Sequence, residues 1–215
     1  MSSAPASGGK KEKKFTIQKV TPKAIAAYAW VDNPDTGNQY SDDKFKVTLV
    51  FEPDTIDELR AAAQEVAEKG HPGVSPDDIT MPFKDGNDKA DKNEEFAGKI
   101  LITAKSKFKP QTMDAKRKAL PKSVKIFSGD IVKALIVFLP YESTEKVRNE
   151  KTKKLETVKS YGVTAQLKAL QLIEKRNGGG DASSAFDDEE GFEAEEGLDQ
   201  DGSDAAGKDD GSGDY

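Results

Sequence analysis

The sequence of 215 residues contains no cysteine, one histidine and one tryptophan. The missing cysteine excludes disulfide bonds, thiolate metal sites and a cysteine nucleophile, and it is typical of a cytoplasmic protein. The single histidine, His71, excludes metal sites built on several histidines, and its place before Pro72 predicts an ordinary surface residue. No apolar run approaches the about 18 residues of a transmembrane helix, and residues 1–14 lack the apolar stretch of a signal peptide.

No catalytic or metal-binding site can be recognised in the remaining residues. Residues 85–96 superficially match a calcium loop, but Lys89, Ala90 and Phe96 occupy positions that require a ligand, a glycine and a glutamate. No glycine-rich phosphate loop occurs, and nothing distinguishes a pair of carboxylates. We therefore predict that the protein is not an enzyme and that it uses no cofactor or metal.

Negative charge is distributed very unevenly along the chain. Residues 177–215 contain 14 acidic residues and a single lysine, whereas residues 1–176 contain 32 basic and 25 acidic residues. The formal net charge of −6 therefore conceals a basic body joined to an acidic C-terminal tail. A basic body attracts polyanions, and a tethered acidic tail competes with them for the same surface.

The distribution of apolar residues predicts the domain organisation. They are concentrated between Phe15 and Ile173, so residues 15–176 are expected to form one domain of ordinary size. The tail, residues 177–215, has too few large apolar residues for a core and is predicted to be disordered. Residues 1–14 are predicted to form a flexible basic arm.

Alternation of apolar and polar residues predicts that most of the domain is β-structure. Residues 45–51 alternate as in a half-buried strand, and further strands are expected over residues 15–31, 96–108, 124–127 and 131–141. A helix is expected to start near Pro53, with Asp54 or Thr55 as its N-cap, and to end at Gly70.

Residues 158–176 are ambiguous, because their composition favours a helix while Tyr161, Val163, Ala165 and Leu167 alternate. We interpret them as a strand with a bulge near Leu170, which follows a charged hairpin over residues 142–154. Five or six strands, one helix and long polar loops predict a mainly β protein built on a small, partly open barrel.

Basic and aromatic residues are interleaved in the second half of the domain, where residues 99–176 hold 19 basic and 7 acidic residues. Non-specific binding of a single strand needs this combination, because cations neutralise phosphates and aromatic faces stack on any base. The candidate nucleic-acid-binding residues are Tyr28, Trp30, Lys105, Lys107, Lys109, Lys116, Arg117, Lys118, Tyr141, Arg148, Lys151, Lys153, Lys154 and Tyr161.

The structural interpretation of the same residues is that the lysines form solvated faces and the aromatic residues belong to the core. Phe108, Phe127 and Phe138 in particular are predicted to be core residues. The cluster at residues 116–118 and the bases of the hairpin would then only keep their loops soluble. The collective excess of positive charge is harder to explain in this way than any single residue.

Several segments together resemble the single-stranded DNA-binding proteins of tailed phages. The resemblance is carried by Tyr28-Ala29-Trp30, by Asn33-Pro34-Asp35-Thr36-Gly37-Asn38 and by the strand over residues 44–49. It continues with Met81-Pro82-Phe83-Lys84-Asp85-Gly86-Asn87, with Leu139-Pro140-Tyr141, and with the acidic tail that ends on an aromatic residue. The order and spacing of these segments together carry the resemblance.

The resemblance implies a five-stranded OB-fold barrel with one flanking α-helix and a disordered acidic C-terminal tail. It implies sequence-independent binding of single-stranded DNA in replication, recombination and repair, in the cytoplasm of the host cell and away from any membrane. Tyr141 would stack on a base. The tail would recruit replication proteins such as a polymerase, a helicase or a primase, and a homodimer is plausible. The partner-binding residues would be Asp209, Asp210, Asp214 and Tyr215, the last in place of the family's usual phenylalanine.

Two alternatives remain open from the sequence. An acidic-tailed chaperone or interaction protein would use the tail to bind basic partners, which makes the basic face of the domain incidental. An RNA-binding OB protein would show the same distribution of charge and aromatic residues as a DNA-binding one.

Overall fold

The computed structural model describes residues 14–36, 39, 41–91, 93–148 and 155–176, with side chains omitted at 145–148 and 155–156. The described part is mainly β, with one α-helix. Its elements are β1 (Ile17–Val20), β2 (Ala24–Asp35), β3 (Lys44–Phe51), α1 (Asp57–Gly70), β4 (Ile79–Thr80), β5 (Phe83–Asp85), β6 (Ile100–Ser106), β7 (Gln111–Met113), β8 (Ile131–Arg148) and β9 (Leu155–Glu174). Within these residues no helix is long and apolar enough to cross a membrane.

Five of the strands pair in a closed ring. β2 pairs with β3, β3 with β6, β6 with β9, β9 with β8, and β8 with β2. All of these pairings are antiparallel except that of β6 with β9. The short strand β1 lies along β8 beyond the start of β2, while β4, β5 and β7 add to β9 or β6. The main core lies inside this ring and beneath α1.

The longest pairing joins β8 to β9, from Ile131↔Glu174 to Arg148↔Leu155. The ambiguous C-terminal segment is therefore a strand, because a long antiparallel partner outweighs its helical composition. The register shifts once between Leu167 and Ala169, near Leu170 as predicted, and once between Leu172 and Glu174. Each shift inserts one residue into β9, which lets its apolar positions stay on the inner face.

The helix α1 ends at Gly70 as expected, but its start differs from the prediction. Asp54 and Thr55 lie in a 3-10 turn, Pro53–Thr55, and the N-cap is Ile56, which supplies no side-chain hydrogen bond. The Thr55 hydroxyl instead donates to the Glu52 carbonyl at 2.8 Å. The helix is anchored by its apolar face, whose buried residues are Leu59, Ala62, Ala63, Val66 and Ala67.

Four predictions about burial and strand extent need correction. Residues 124–127 form no strand, because the backbone N–H of Phe127 donates to the Asp130 carboxylate at 2.9 Å instead of to a strand. Phe127 and Phe108 are 49% and 78% exposed, whereas Phe138 is fully buried as predicted. His71 is buried, not on the surface, because its ring packs between α1 and β9.

Several predictions fall on residues outside the described part of the chain. These are the arm up to residue 13, the tail over residues 177–215, and the candidate residues Lys151, Lys153, Lys154, Asp209, Asp210, Asp214 and Tyr215.

Candidate nucleic-acid interface

The cross-strand register aligns four side chains in one row on the outside of the ring. Trp30 of β2 pairs with Lys46 of β3, Lys46 with Lys105 of β6, and Lys105 with Gln166 of β9. Directly paired residues project from the same face of a sheet. The next row of pairs, Val47, Ala104 and Ala165, is buried inside the ring. We call Trp30, Lys46, Lys105 and Gln166 the outer row.

A bulge in β2 determines that Trp30 faces outward. Between the pairs Ala27↔Thr48 and Trp30↔Lys46, β2 contains one residue more than β3. Tyr28 lies at this bulge with a φ of 48°, a left-handed conformation that costs a non-glycine residue energy. Without the extra residue, strict alternation from the buried Ala26 would turn Trp30 toward the core and Val31, which is buried, outward.

The bulge also leaves Tyr28 accessible beside the outer row. Tyr28 and Trp30 are 46% and 43% exposed, a high value for such large aromatic residues. The Tyr28 ring meets Phe96 edge-on, with the ring centroids 6.1 Å apart. Phe96 belongs to a small second core on the outside of the sheet, with Ala27, Val50 and Leu101. Tyr28 is thus supported on one side and open to solvent on the other.

Carboxylates from the β2–β3 hairpin pair with the lysines of this face. Lys46 pairs with Asp35, and Lys105 Nζ donates to Asp42 Oδ2 at 2.7 Å. Two further ion pairs join Lys44 to Asp42 at 3.7 Å and Lys109 to Asp32 at 3.5 Å. We call Asp32, Asp35 and Asp42 the carboxylate set. Its members supply the anions that these four lysines contact.

Hydrogen bonds hold the carboxylate set in place. The Ser41 hydroxyl donates to Asp35 Oδ1 at 3.2 Å, and the backbone N–H of Asp43 donates to the Asp35 carbonyl at 3.1 Å. The hydrogen bond from Lys105, followed by the charges of Lys105 and its neighbours, lowers the pKa of Asp42 against an opposing effect of burial. The lowered pKa therefore favours the ionised Asp42 that pairs with Lys105.

Tyr141 and Tyr161 lie on opposite faces of the β8–β9 hairpin. Tyr141 pairs with Gly162, and the neighbouring pair is Glu142↔Tyr161. Tyr161 meets His71 edge-on with centroids 5.3 Å apart, and His71 Nε2 donates to the Gly162 carbonyl at 2.9 Å. Tyr161 therefore packs toward the end of α1, whereas Tyr141 covers the other side of the hairpin.

The remaining candidates lie in loops. Lys107 is exposed in the bend after β6, and Lys109 follows it with its ion pair to Asp32. The turn after β7 exposes Lys116, Arg117 and Lys118. Gln171 of β9 anchors this turn by donating hydrogen bonds to the carbonyls of Asp114 and Ala115. Arg148 ends β8. The structure thus places Trp30 and Lys105 in the outer row, with Tyr28 and Lys109 near it. The 116–118 turn lies farther along β9, beyond Gln166.

Sequence reasoning missed Lys46, Gln166 and the carboxylate set. Lys46 was detectable, since it lies on the polar side of a strand that the alternation predicted well. Gln166 could not be found, because its position beside Lys105 depends on a pairing between strands about 60 residues apart. For the acidic residues of the hairpin, the sequence indicated only that such residues are typical of turns.

Three comparisons with known proteins bear on the chain. The sequence profile of the family of the single-stranded DNA-binding protein of Enterobacter phage Enc34 matches residues 17–201. No curated protein sequence matches the chain.

Among solved structures, the single-stranded DNA-binding protein of bacteriophage Enc34, truncated at its C-terminus, superposes with a TM-score of 0.53 at 18% identity, covering 78% of this chain and 94% of its own. The same protein in complex with single-stranded DNA gives a TM-score of 0.53 at 18% identity, covering 78% and 95%. The single-stranded DNA-binding protein gp2.5 encoded by bacteriophage T7 gives 0.48 at 20% identity, covering 76% and 95%.

The structural likeness concerns the fold, whereas the profile match covers most of the sequence, including the strands that carry the outer row. The chain belongs to the family of the single-stranded DNA-binding protein of Enterobacter phage Enc34.

Proposed function

We propose that this protein binds single-stranded DNA without sequence preference, with the outer row at the centre of its interface. The observation that carries the proposal is the alignment of Trp30, Lys46 and Lys105 on adjacent strands outside the ring. An aromatic face beside two cations suits a nucleotide, whose base stacks while its phosphate is neutralised. The Enc34 relative, whose structure was solved in complex with single-stranded DNA, supports the assignment.

The ring of strands supports the finer proposal of an OB fold. OB folds bind oligonucleotides on the face of their second and third strands, between the loops that follow the first and the fourth. In chain order the ring strands are β2, β3, β6, β8 and β9, so the corresponding strands β3 and β6 carry Lys46 and Lys105. The corresponding loops are the β2–β3 hairpin and the β8–β9 hairpin, in which Lys151, Lys153 and Lys154 lie.

Binding proceeds by exchange of anions. Phosphates replace the carboxylate set on Lys46, Lys105 and Lys109, while Trp30, Tyr28 and Tyr141 stack on bases. Stacking is tolerant of base identity because every base has a π-face. Affinity falls with salt, with a slope of about −0.7 in log units for each phosphate neutralised.

The acidic tail supplies the proposed regulation and partner recruitment. Residues 177–215 compete with DNA for the basic domain, and DNA binding frees them for replication proteins, which contact Asp209, Asp210, Asp214 and Tyr215. The protein acts without catalysis in phage DNA replication, recombination and repair. Residues 1–14 and 177–215 flank a single binding domain, and a homodimer is compatible with a tail that reaches a second copy.

A titration tests the proposal directly. Fluorescence polarisation of the full chain with labelled oligo-dT, and with a duplex and an oligo-U of equal length, measures preference for single strands and for DNA. Tight binding of oligo-dT with clearly weaker binding of duplex is expected. Equal binding of oligo-U would make the protein a general single-strand binder, and binding to no nucleic acid would favour the interaction-protein alternative.

A further inference from the structure

An apolar groove lies on the outer face of β8 and β9, with a cavity of about 220 Å³. Two cations, Arg117 and Lys133, line it together with mostly apolar residues: Val20, Met113, Ala134, Leu135, Ala169, Leu170 and Gln171. Val20 is 62% exposed, which is unusual for an aliphatic residue on a strand. The groove therefore combines an uncovered apolar surface with two positive charges.

The turn over residues 114–118 is constructed so that it presents Arg117. Asp114 Oδ1 accepts hydrogen bonds from the backbone N–H groups of Lys116 and Lys118, each at 2.8 Å. Gln171 Nε2 fixes the turn to β9 through the carbonyls of Asp114 and Ala115, at 3.2 and 3.0 Å. Arg117 itself has a φ of 66°, which is costly for an arginine. Such strain persists where the surroundings fix it, and it is concentrated at binding sites.

The cations of the groove differ from those of the outer row in their partners. Lys46 and Lys105 of the outer row are each paired with a carboxylate, as is Lys109 in the loop after β6. Within the described part of the chain, neither Arg117 nor Lys133 forms an ion pair. Among the described residues, no carboxylate pairs with these two cations that an anionic ligand would have to displace.

The register places the groove beside the outer row on the same face. Gln166 of the outer row pairs with Val137 of β8, and Leu135, two residues earlier, pairs with Ala169 on one side and Val20 on the other. Residues two apart on a strand share a face. A strand of nucleic acid that crosses the outer row and continues over Val137 therefore reaches the groove.

We propose that this groove is a second nucleotide subsite, in which an unpaired base packs on Leu135, Ala169 and Val20 while its phosphate contacts Arg117 and Lys133. The inference rests on the proposed function, since it extends the same single-strand interface. The aliphatic side chains of the groove would contact the face of a base and form no hydrogen bonds to its edges. Such contacts accept a base of any identity.

The test compares two charge-removing variants of the full chain. Arg117→Asn removes the cation and keeps a residue that tolerates the left-handed backbone, and Lys122→Asn removes an exposed loop lysine that does not line the groove. Affinities are measured for oligo-dT of about 4 and about 16 nucleotides, the range of site sizes for OB folds. We expect Arg117→Asn to weaken binding of the longer oligonucleotide at least about 5-fold and Lys122→Asn by less than about 2-fold, with the shorter one little affected.

A fluorescent label supplies an independent readout. Because the chain lacks cysteine, Val20→Cys carries an environment-sensitive dye at the groove alone, and Ser75→Cys carries it on a remote exposed loop. A change in dye emission with the longer oligonucleotide at position 20, and none at position 75, is the expected result.

Three outcomes would count against the inference or its basis. Equal effects of the two asparagine variants on a well-bound long oligonucleotide overturn the subsite. A dye signal at position 20 that disappears on removal of residues 177–215, without DNA, identifies the acidic tail as the occupant and also overturns it. Absence of oligo-dT binding by the wild-type chain is a different failure, that of the proposed function.

Discussion

The ring of Tyr141 lies directly on the backbone of Gly162, its partner across the β8–β9 pairing. A Cβ atom added at Gly162 would stand 2.5 Å from Cε1 of Tyr141 and 2.6 Å from its hydroxyl oxygen. The carbonyl of the same glycine accepts the hydrogen bond of buried His71. Gly162 is therefore fixed from both sides, and it provides the surface on which a candidate stacking residue rests.

Substitution of Gly162 should displace Tyr141. In Gly162→Ala the added methyl group cannot fit beneath the ring, so we expect a loss of stability of roughly 1–3 kcal/mol together with weaker binding of oligo-dT. Urea unfolding and fluorescence polarisation measure the two effects. Thr164→Ala, two residues along β9, is the matched control. Unchanged DNA affinity in a folded Gly162→Ala protein would remove Tyr141 from the proposed interface.

Removal of one member of the carboxylate set should strengthen DNA binding. Asp42 accepts from Lys105 and also pairs with Lys44, so Asp42→Asn leaves two lysines without their internal anion. We expect affinity for oligo-dT to rise several-fold at low salt, an effect of about 1 kcal/mol. Asp54→Asn, an exposed carboxylate in the turn before α1, controls for net charge. Weaker binding by Asp42→Asn than by its control would mean that the carboxylate orients Lys105 for DNA and does not compete with it.

The pKa of Asp42 should depend on Lys105. Since the Lys105 hydrogen bond is the main cause of the lowered pKa, Lys105→Ala is expected to raise it toward the usual aspartate value. A lowered pKa stabilises the folded state above the unfolded pKa, and this contribution is lost as the pH falls through the folded value. Carboxyl chemical shifts followed by NMR from neutral to acidic pH measure the change. Identical titration curves in the wild type and Lys105→Ala would show that the pair does not form in solution.

The single tryptophan provides its own probe. Trp30 is the only tryptophan in the chain, so a base stacked on it should quench the intrinsic fluorescence of the protein. Trp30→Ala is expected to weaken oligo-dT binding by about 1–3 kcal/mol, the usual loss for one stacked base. Phe127→Ala removes another exposed aromatic residue, one that lies under Lys175, and should leave affinity unchanged. Binding without quenching would place the DNA away from the outer row.

Truncation after Arg176 should raise DNA affinity and abolish partner recruitment. The tail carries 14 acidic residues and one lysine, so its removal eliminates an intramolecular competitor. The gain should shrink as salt rises, because the Debye length falls from about 10 Å at 0.1 M to about 3 Å at 1 M. Equal affinities of the full and truncated chains at low salt would exclude competition by the tail.

Local patterns predicted the elements whose faces differ in polarity. The alternation of residues 45–51 located β3, and the apolar face before Gly70 located α1. Both elements are buried on one face only, so the spacing of their apolar residues indicates the type of element and its buried face. The start of α1 was predicted wrongly because Asp54 and Thr55, whose side chains are typical of an N-cap, lie in a 3-10 turn. The burial of Phe108 and Phe127 was predicted wrongly because apolar character alone does not determine whether a side chain is buried.

Features that depend on distant pairing could not be predicted. The outward direction of Trp30 depends on one extra residue at Tyr28, and its neighbours Lys46, Lys105 and Gln166 come from three other strands. The burial of His71 similarly depends on Gly162, 91 residues later in the chain. The sequence indicated the kinds of residue in the proposed interface, and only the register indicated which of them lie side by side.

The pairing of the outer-row lysines with Asp35 and Asp42 has a thermodynamic consequence. The counterions of these lysines are side chains of the same polypeptide. In the proposed complex, the exchange of a carboxylate for a phosphate at this face therefore releases no free anion from the protein. The entropy of that step arises from cations leaving the DNA and from the hairpin side chains that gain freedom. In the proposed complex, a phosphate therefore binds Lys46 or Lys105 only by replacing an anion of the same sign.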